Sequence, residues 1–303
     1  MLTEIVERHI GLHHATGYLF RKQSILLRDY ARFAGGRGED VVHASTALEW
    51  AGKGPSAGTR HGRLEVIRRF ARLMRAEDPR HEVPPAGVFG KQPPRRTPHI
   101  YTPGEIRALL RAAGALGPRG SLRPKVYVTM LGLIAATGLR ISEAIGLRLA
   151  DVTAAGLLVR QTKFRKSRLV PLHPTTRRAL DSYLTARAKL AAADDAVFLS
   201  ELGTRVRYPT VISTFLALVR HIGIHPGVGK RGPRIHDLRH TFAVRSLEQC
   251  VSTGDAVARH MLALSTYLGH ARLWDTYWYL QATPRLLADV AARSESLARR
   301  GAR

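Results

Sequence analysis

The sequence predicts a mainly α-helical fold with a small β-hairpin or sheet, arranged as a helical N-terminal domain (residues 1–83), a linker (84–101) and a larger α+β domain (102–303). Three observations carry that reading. Apolar residues recur at three- and four-residue steps through most of the chain, the spacing of helices that bury one face. Five prolines and two glycines fall between Val83 and Pro98, too many for regular structure. An extended, β-rich pattern on either side of a polar turn appears only between Leu157 and Leu172. With 303 residues, 45% of them hydrophobic, the chain can bury cores for two domains.

In the first domain Leu64, Ile67, Phe70, Ala71 and Met74 mark one helix, and breaks at Phe33–Gly38 and Gly52–Gly58 divide the rest, giving about four short helices. Glu65, Arg69 and Arg72 project away from that apolar stripe. Arg21, Lys22, Arg28, Lys53, Arg60 and Arg63 add charge that fits either a solvated face or phosphate contact. Lys91, Arg95 and Arg96 place the same two readings on the linker. The second domain opens at Thr102-Pro103-Gly104-Glu105, a capping residue, a proline at the first helical position and a glutamate at the third. A helix from Pro124 to Thr137 ends at Gly138, the residue type that takes the left-handed conformation most cheaply. Leu157–Thr162 and Arg168–Leu172 read as two strands around a turn with Lys163, Arg165 and Lys166. Helices resume at Thr175–Lys189 and Val211–Ile222, and a basic Pro/Gly loop leads into His236-Asp237-Leu238-Arg239-His240.

Forty-eight Lys and Arg against 23 Asp and Glu leave a net charge of +25, far more than solubility requires. A polyanion, nucleic acid first, is the partner this implies. The rival, a membrane surface, finds neither a run of about 18 apolar residues nor a secretion signal, so a soluble intracellular protein is expected. Cys250 is the sole cysteine and reads as a packing residue.

Chemistry concentrates in four segments. His236 and Arg239, three apart on a helix, share a face. Arg140, Lys163 and His270 come from separate segments, and cations gathered from so far apart need an anion between them. Leu268-Gly269-His270 is followed by Tyr277 and Tyr279. A phenol ionises only near pH 10, so its use as a nucleophile demands such cationic neighbours. His236 and His240 have the spacing of a metal-binding pair, but Arg239 between them and the lack of an evident third ligand favour a metal-free reading, and no cofactor is expected.

These segments, in this order, resemble the tyrosine recombinase (phage integrase) family over residues 100–282, with a weaker, compositional likeness of residues 1–83 to that family's helical core-binding domain. Ala136-Thr137-Gly138-Leu139-Arg140-Ile141-Ser142-Glu143 matches the motif of the first active-site arginine. Lys163, followed by Lys166 and Arg168, matches the hairpin lysine. His236-Asp237-Leu238-Arg239 matches the His-x-x-Arg pair, Leu268-Gly269-His270 the Leu-Gly-His motif, and Tyr279, nine residues past that histidine, the nucleophile. Two departures stand out: Phe164 replaces the glycine usual after the hairpin lysine, and Leu273–Trp278 replaces a Ser/Thr-rich approach to the nucleophile. Since Tyr277 and Tyr279 lie about 200° apart on a helix, only one can face the scissile phosphate, and the spacing selects Tyr279. Glu143 reads as structural, holding Arg140 or the helix start.

The resemblance implies a site-specific DNA recombinase. Its catalytic residues would be Arg140, Lys163, His236, Arg239, His270 and Tyr279, acting on double-stranded DNA through a 3′-phosphotyrosyl intermediate and a Holliday junction. It further implies a two-domain clamp, a homotetramer or mixed tetramer on DNA, and a nucleoid-associated place in the cytoplasm. The amphipathic segment Arg285–Ala292 would dock on a neighbouring protomer or fold back on its own domain. A type IB topoisomerase and a catalytically silent DNA-binding protein are the alternatives.

Overall fold

The computed structural model describes residues 1–90, 96–160, 167–190, 194–227, 231–249, 254–270, 272 and 274–280. Lys163 and Phe164, Cys250 and the segment Arg285–Ala292 lie outside them. The chain forms two compact units, Met1–Arg96 and Thr97–Arg303. It is mostly helical with one small antiparallel sheet, as the apolar spacing requires.

The first unit holds four helices, α1 (Leu2–Ala15), α2 (Arg21–Gly35), α3 (Ala44–Gly52) and α4 (Ala57–Glu77). α1 packs on α2 and α3 on α4 around Leu27, Tyr30, Trp50, Leu64, Ile67 and Phe70. α4 starts where Ser56 Oγ accepts from Thr59 N (3.2 Å), satisfying one of the donors a helix start leaves open. Arg69 and Arg72 are exposed, but Arg68 beside them is buried, donating to Pro84 O (2.9 Å) and Glu65 (2.9 Å). Val83 and Phe89 pack against this core, and Tyr101 is fully buried in that of the second unit. Both ends of the proline-rich segment are therefore seated, although they hold no helix or strand.

The second unit begins with α5 (Pro103–Gly114), where Thr102 and Glu105 cap reciprocally (3.1 and 2.7 Å). α6 (Arg123–Thr137) buries residues on nearly every side, because α5, α8 (Pro174–Ala188) and α10 (His236–Glu248) surround it. α7 (Ile141–Gly146) follows, then the sheet. β1 (Val152–Thr153) pairs with β2 (Gly156–Val159), and β2 with β3 (Arg168–Val170) in the register Leu157↔Val170, Leu158↔Leu169 and Val159↔Arg168. Leu157, Val159 and Val170 face the core while Leu169 faces solvent, the period-two alternation expected of a half-buried sheet. α9 (Tyr208–His221) precedes α10, and α11 (Gly254–Leu268) and α12 (Trp274–Leu280) close the description. Ala243, Val244, Met261, Leu264, Leu268 and Tyr279 make a second, smaller core that fixes α12 on α10 and α11. No described helix is long and apolar enough to cross a membrane.

Candidate active site

The C-terminal end of α11 organises the site. Gly269 takes φ 66°, and the amides of Gly269 and His270 turn back to Thr266 O and Ser265 O (3.0 Å each), which ends the helix. The last carbonyls of a helix have no intrahelical donor and lie at the negative end of its dipole. Three consecutive carbonyls here each accept from an arginine of another segment. Arg168 Nε donates to Tyr267 O (2.8 Å), Arg239 Nη2 to Leu268 O (2.7 Å) and Arg140 Nη2 to Gly269 O (3.2 Å). Arginines distant in sequence thus converge on the turn that leads into His270.

Each of them is fixed a second time. Arg239, only 1% exposed, donates through Nη1 to Gly138 O (2.7 Å). Glu143 accepts from the backbone N (2.9 Å) and Nη1 (2.7 Å) of Arg140, so it holds both the start of α7 and the guanidinium. Its two oxygens also take Nη1 and Nη2 of Arg168 (3.0 and 2.8 Å). Burial alone would raise the Glu143 carboxyl, but the hydrogen bonds and charge of Arg168, then those of Arg140, hold it at about 2. Glycine is required at two turns. A Cβ on Gly138 (φ 65°) would stand 2.6 Å from Phe242 Cδ1, and one on Gly269 would stand 2.8 Å from Arg168 Nη1.

His236 and Arg239 occupy the first turn of α10, and His240 follows one turn on. The rings of His236 and His240 meet edge to face at 4.6 Å. Tyr279, 2% exposed, lies with its ring 5.3 Å from that of His240 and stacked 5.9 Å from that of His270. His270 is held by a hydrogen bond between its Nδ1 and Thr276 Oγ1 (2.8 Å). Tyr277 is 43% exposed and packs on Trp274, so the two tyrosines point apart as helical geometry demands. Burial, then the Arg239 charge, pushes His236 and His270 down to about 4, leaving both neutral near pH 7. Burial, then Arg140, pushes Arg239 down to about 10, where it is still a cation. The site therefore pairs fixed positive charge with imidazoles held neutral.

Of the residues singled out from sequence, the structure gathers Arg140, His236, Arg239, His270 and Tyr279 in one cluster, and Lys163 lies outside the described residues. Two participants had no assigned place. Arg168 appeared only as the end of a lysine-lysine-arginine pattern, and its partner Glu143 is 25 residues away, beyond any local spacing rule. His240 appeared only as half of a metal-type pair, though its i+4 spacing from His236 already put it on the same face. Among the described residues no group of three or more His, Cys, Asp or Glu side chains is placed to hold a metal ion.

A cluster of three arginines beside a buried tyrosine, set in a helical unit with a three-stranded antiparallel sheet, is what fold and geometry define. The model of the phage integrase family matches residues 101–285. A putative integrase/recombinase of Sinorhizobium fredii, y4rB, is 38% identical over 304 residues, 96% of this chain and 96% of that protein. The tyrosine recombinase XerD of Mycobacterium leprae is 36% identical over 212 residues, 66% of this chain and 62% of that protein. Among solved structures, the Tn1549 transposon integrase with circular intermediate DNA shares the fold at TM-score 0.69 and 18% identity, covering 95% of this chain and 99% of that one. A lambda integrase dimer bound to a core site does so at TM-score 0.63 and 18% identity, covering 94% and 77%. The chain belongs to the phage integrase family of tyrosine recombinases.

Proposed function

We propose that this chain is a site-specific DNA recombinase of the integrase type, cutting and rejoining double-stranded DNA in the integration, excision or transposition of a mobile element. The observation that carries this reading is the convergence of Arg140 and Arg239 on the end of α11 beside Tyr279, whose ring lies between those of His240 and His270. Relatives of the same fold are described with DNA bound, XerH with its difH substrate and the Tn1549 integrase with transposon-end DNA among them.

Tyr279 Oη attacks the scissile phosphorus. The Oη–P bond forms as the bond from phosphorus to the 5′ oxygen breaks, leaving a 3′-phosphotyrosyl link and a free 5′-hydroxyl. Arg140 and Arg239 hold the non-bridging oxygens, and because both are fixed before DNA arrives, they need no reorganisation in the transition state. His236 assists removal of the phenolic proton, His270 donates a hydrogen bond to the phosphate, and Lys163 protonates the departing 5′ oxygen. The phosphotyrosyl bond conserves the energy of the phosphodiester, so religation to a 5′-hydroxyl of a partner duplex proceeds without nucleotide or metal. Residues 1–83 serve as the core-binding domain, residues 102–303 as the catalytic domain, and four protomers exchange strands through a Holliday junction at the nucleoid.

The test is a nicked suicide duplex carrying the chain's own site, located by footprinting on DNA flanking its gene. A covalent adduct that Tyr279→Phe abolishes and Tyr277→Phe retains is expected. The reverse pattern reassigns the nucleophile, and no adduct from the wild-type protein overturns the function. Relaxation of a plasmid that lacks the site, by a lone protomer, would make the chain a topoisomerase instead.

A further inference from the structure

We propose that Arg168 is a positioning residue that neutralises Glu143 and so leaves the charge of Arg140 to the scissile phosphate, balancing the pocket for the doubly negative transition state. The inference rests on the recombinase reading and deepens it.

Glu143 is buried, with a side chain 7% exposed, and it lies between two guanidinium groups. A buried carboxylate without full compensation is costly, and it takes its charge from whatever cation is nearest. Arg140 offers it one side-chain hydrogen bond (2.7 Å), whereas Arg168 offers a two-pronged pair (3.0 and 2.8 Å), the stronger geometry. All three nitrogens of Arg168 have protein acceptors: Nε has Tyr267 O, and each Nη has one oxygen of Glu143. Arg168 is also the less accessible of the two, 12% exposed against 28% for Arg140. Arg140 therefore keeps the more open edge for a ligand while staying in place, and Arg168 is the one committed to the carboxylate.

Arg239 completes the balance, because its partners Gly138 O and Leu268 O are dipoles and leave its charge intact. Around the non-bridging oxygens, with Lys163 assigned separately to the leaving 5′ oxygen, three guanidinium groups against one carboxylate leave a surplus of two positive charges. A phosphodiester carries one negative charge and the pentacoordinate transition state two. The surplus thus matches the state to be stabilised better than the bound substrate, which is the condition for a faster chemical step. Without Arg168 the whole of Glu143 falls on Arg140 and the surplus drops to one.

Three variants and two readouts test this. In single-turnover cleavage of the suicide duplex, Arg168→Gln should be slower by about 100-fold, the size of effect of losing one fixed electrostatic partner. DNA affinity should change less than about threefold, since many phosphate contacts contribute to it. The double variant Glu143→Gln/Arg168→Gln restores the surplus of two and should recover at least about tenfold over Arg168→Gln, a coupling expected only of groups that act on each other. Arg168→Lys keeps the charge without the two-pronged geometry and should fall between wild type and Arg168→Gln. The second readout needs neither target site nor reaction: orthovanadate, a tetrahedral oxyanion that becomes trigonal-bipyramidal when its vanadium accepts the Tyr279 oxygen as a fifth ligand, should raise the melting temperature in the order wild type, Arg168→Lys, Arg168→Gln, with the double variant above Arg168→Gln. A double variant no better than Arg168→Gln in both readouts, or Arg168→Lys no better than Arg168→Gln, overturns the charge balance. Absence of an adduct from wild-type protein overturns the recombinase reading, and the vanadate order then decides the inference separately.

Discussion

Arginine is used in two different ways on the surface of the first unit and at the end of α11 in the second. In Met1–Arg96, Arg28 clasps Glu7 (2.6 and 2.8 Å), Arg37 meets Glu49 (2.6 Å), Arg8 meets Glu77 (2.7 Å) and Arg80 meets Asp78 (2.7 Å), all at the surface. A carboxylate cancels each of these cations, and water screens what remains. In the second unit, Arg239 has carbonyl oxygens on both sides, and Arg140 and Arg168 each use one more. A carbonyl satisfies the N–H donor without removing the charge. An arginine seated on dipoles is therefore held in place and still able to bind an anion, whereas an arginine seated on a carboxylate is only held in place.

The largest effect should come from the most buried cation. Arg239→Met removes the donors of Gly138 O and Leu268 O, and since each buried acceptor left unmet costs about 1–3 kcal/mol, the second unit should lose about 3 kcal/mol in urea unfolding. Arg239→Lys keeps the charge but cannot span both carbonyls, so single-turnover cleavage should fall about 100- to 1000-fold. A methionine variant as stable as wild type would break the comparison, because the carbonyls would then not depend on the guanidinium.

Gly269→Ala probes the turn rather than the cation, and its effect should be smaller. A left-handed alanine costs about 1–2 kcal/mol, and its Cβ would press on Arg168 Nη1. The unfolding free energy should drop by that amount and lower the midpoint accordingly, with a loss of cleavage that follows the displaced arginine. A midpoint equal to wild type would mean that α11 can end in another way.

Next in size is a dependence on pH. His236 and His270 titrate near 4 in the folded chain and near 6.5 when unfolded, burial being the main cause and Arg239 the second. Between those values the unfolded chain takes protons that the folded chain refuses. Their contribution is complete above about pH 6.5 and is lost as pH falls towards 4. Glu143, held at about 2 by Arg168 and Arg140 against its own burial, contributes above its usual 4.5 and is lost between 4.5 and 2. Urea midpoints of the second unit at pH 7 and pH 5 should differ, and less so in His270→Gln. An unchanged slope in that variant would remove His270 from the cation field.

The candidate residues were legible in the sequence because each sits in its own short motif. Gly138 before Arg140, the i+3 spacing of His236 and Arg239, and Gly269 before His270 are local facts, and local facts survive without coordinates. The helix start at Thr102 follows the same rule, a reciprocal cap written in four consecutive letters. What holds the site together was not legible. Tyr267 O, Leu268 O and Gly269 O are backbone atoms that no letter encodes, and they gather only because α11 ends where it does. Glu143 and Arg168 pair across 25 residues. β1 is two residues long, too short for any periodicity. Proline content correctly denies regular structure to residues 84–90, but it says nothing of packing, and Phe89 packs against the first core.

The smallest effect is expected at the surface, and salt separates an exposed carboxylate pair from a buried one most sharply there. Arg28 and Glu7 are each 47% exposed, and their pairing lowers the Glu7 carboxyl and raises the Arg28 guanidinium through two hydrogen bonds. Arg28→Gln should leave the urea midpoint of the first unit close to wild type at low salt and indistinguishable from it by about 0.5 M NaCl, where the screening length is only a few ångströms. Arg168→Gln, whose partner Glu143 lies out of reach of mobile ions, should keep its defect at the same salt. If the Arg28 effect survives salt while the Arg168 effect fades, burial is not what distinguishes these two carboxylate-paired arginines, and the lasting hold of Arg168 on Glu143 fails at its physical root.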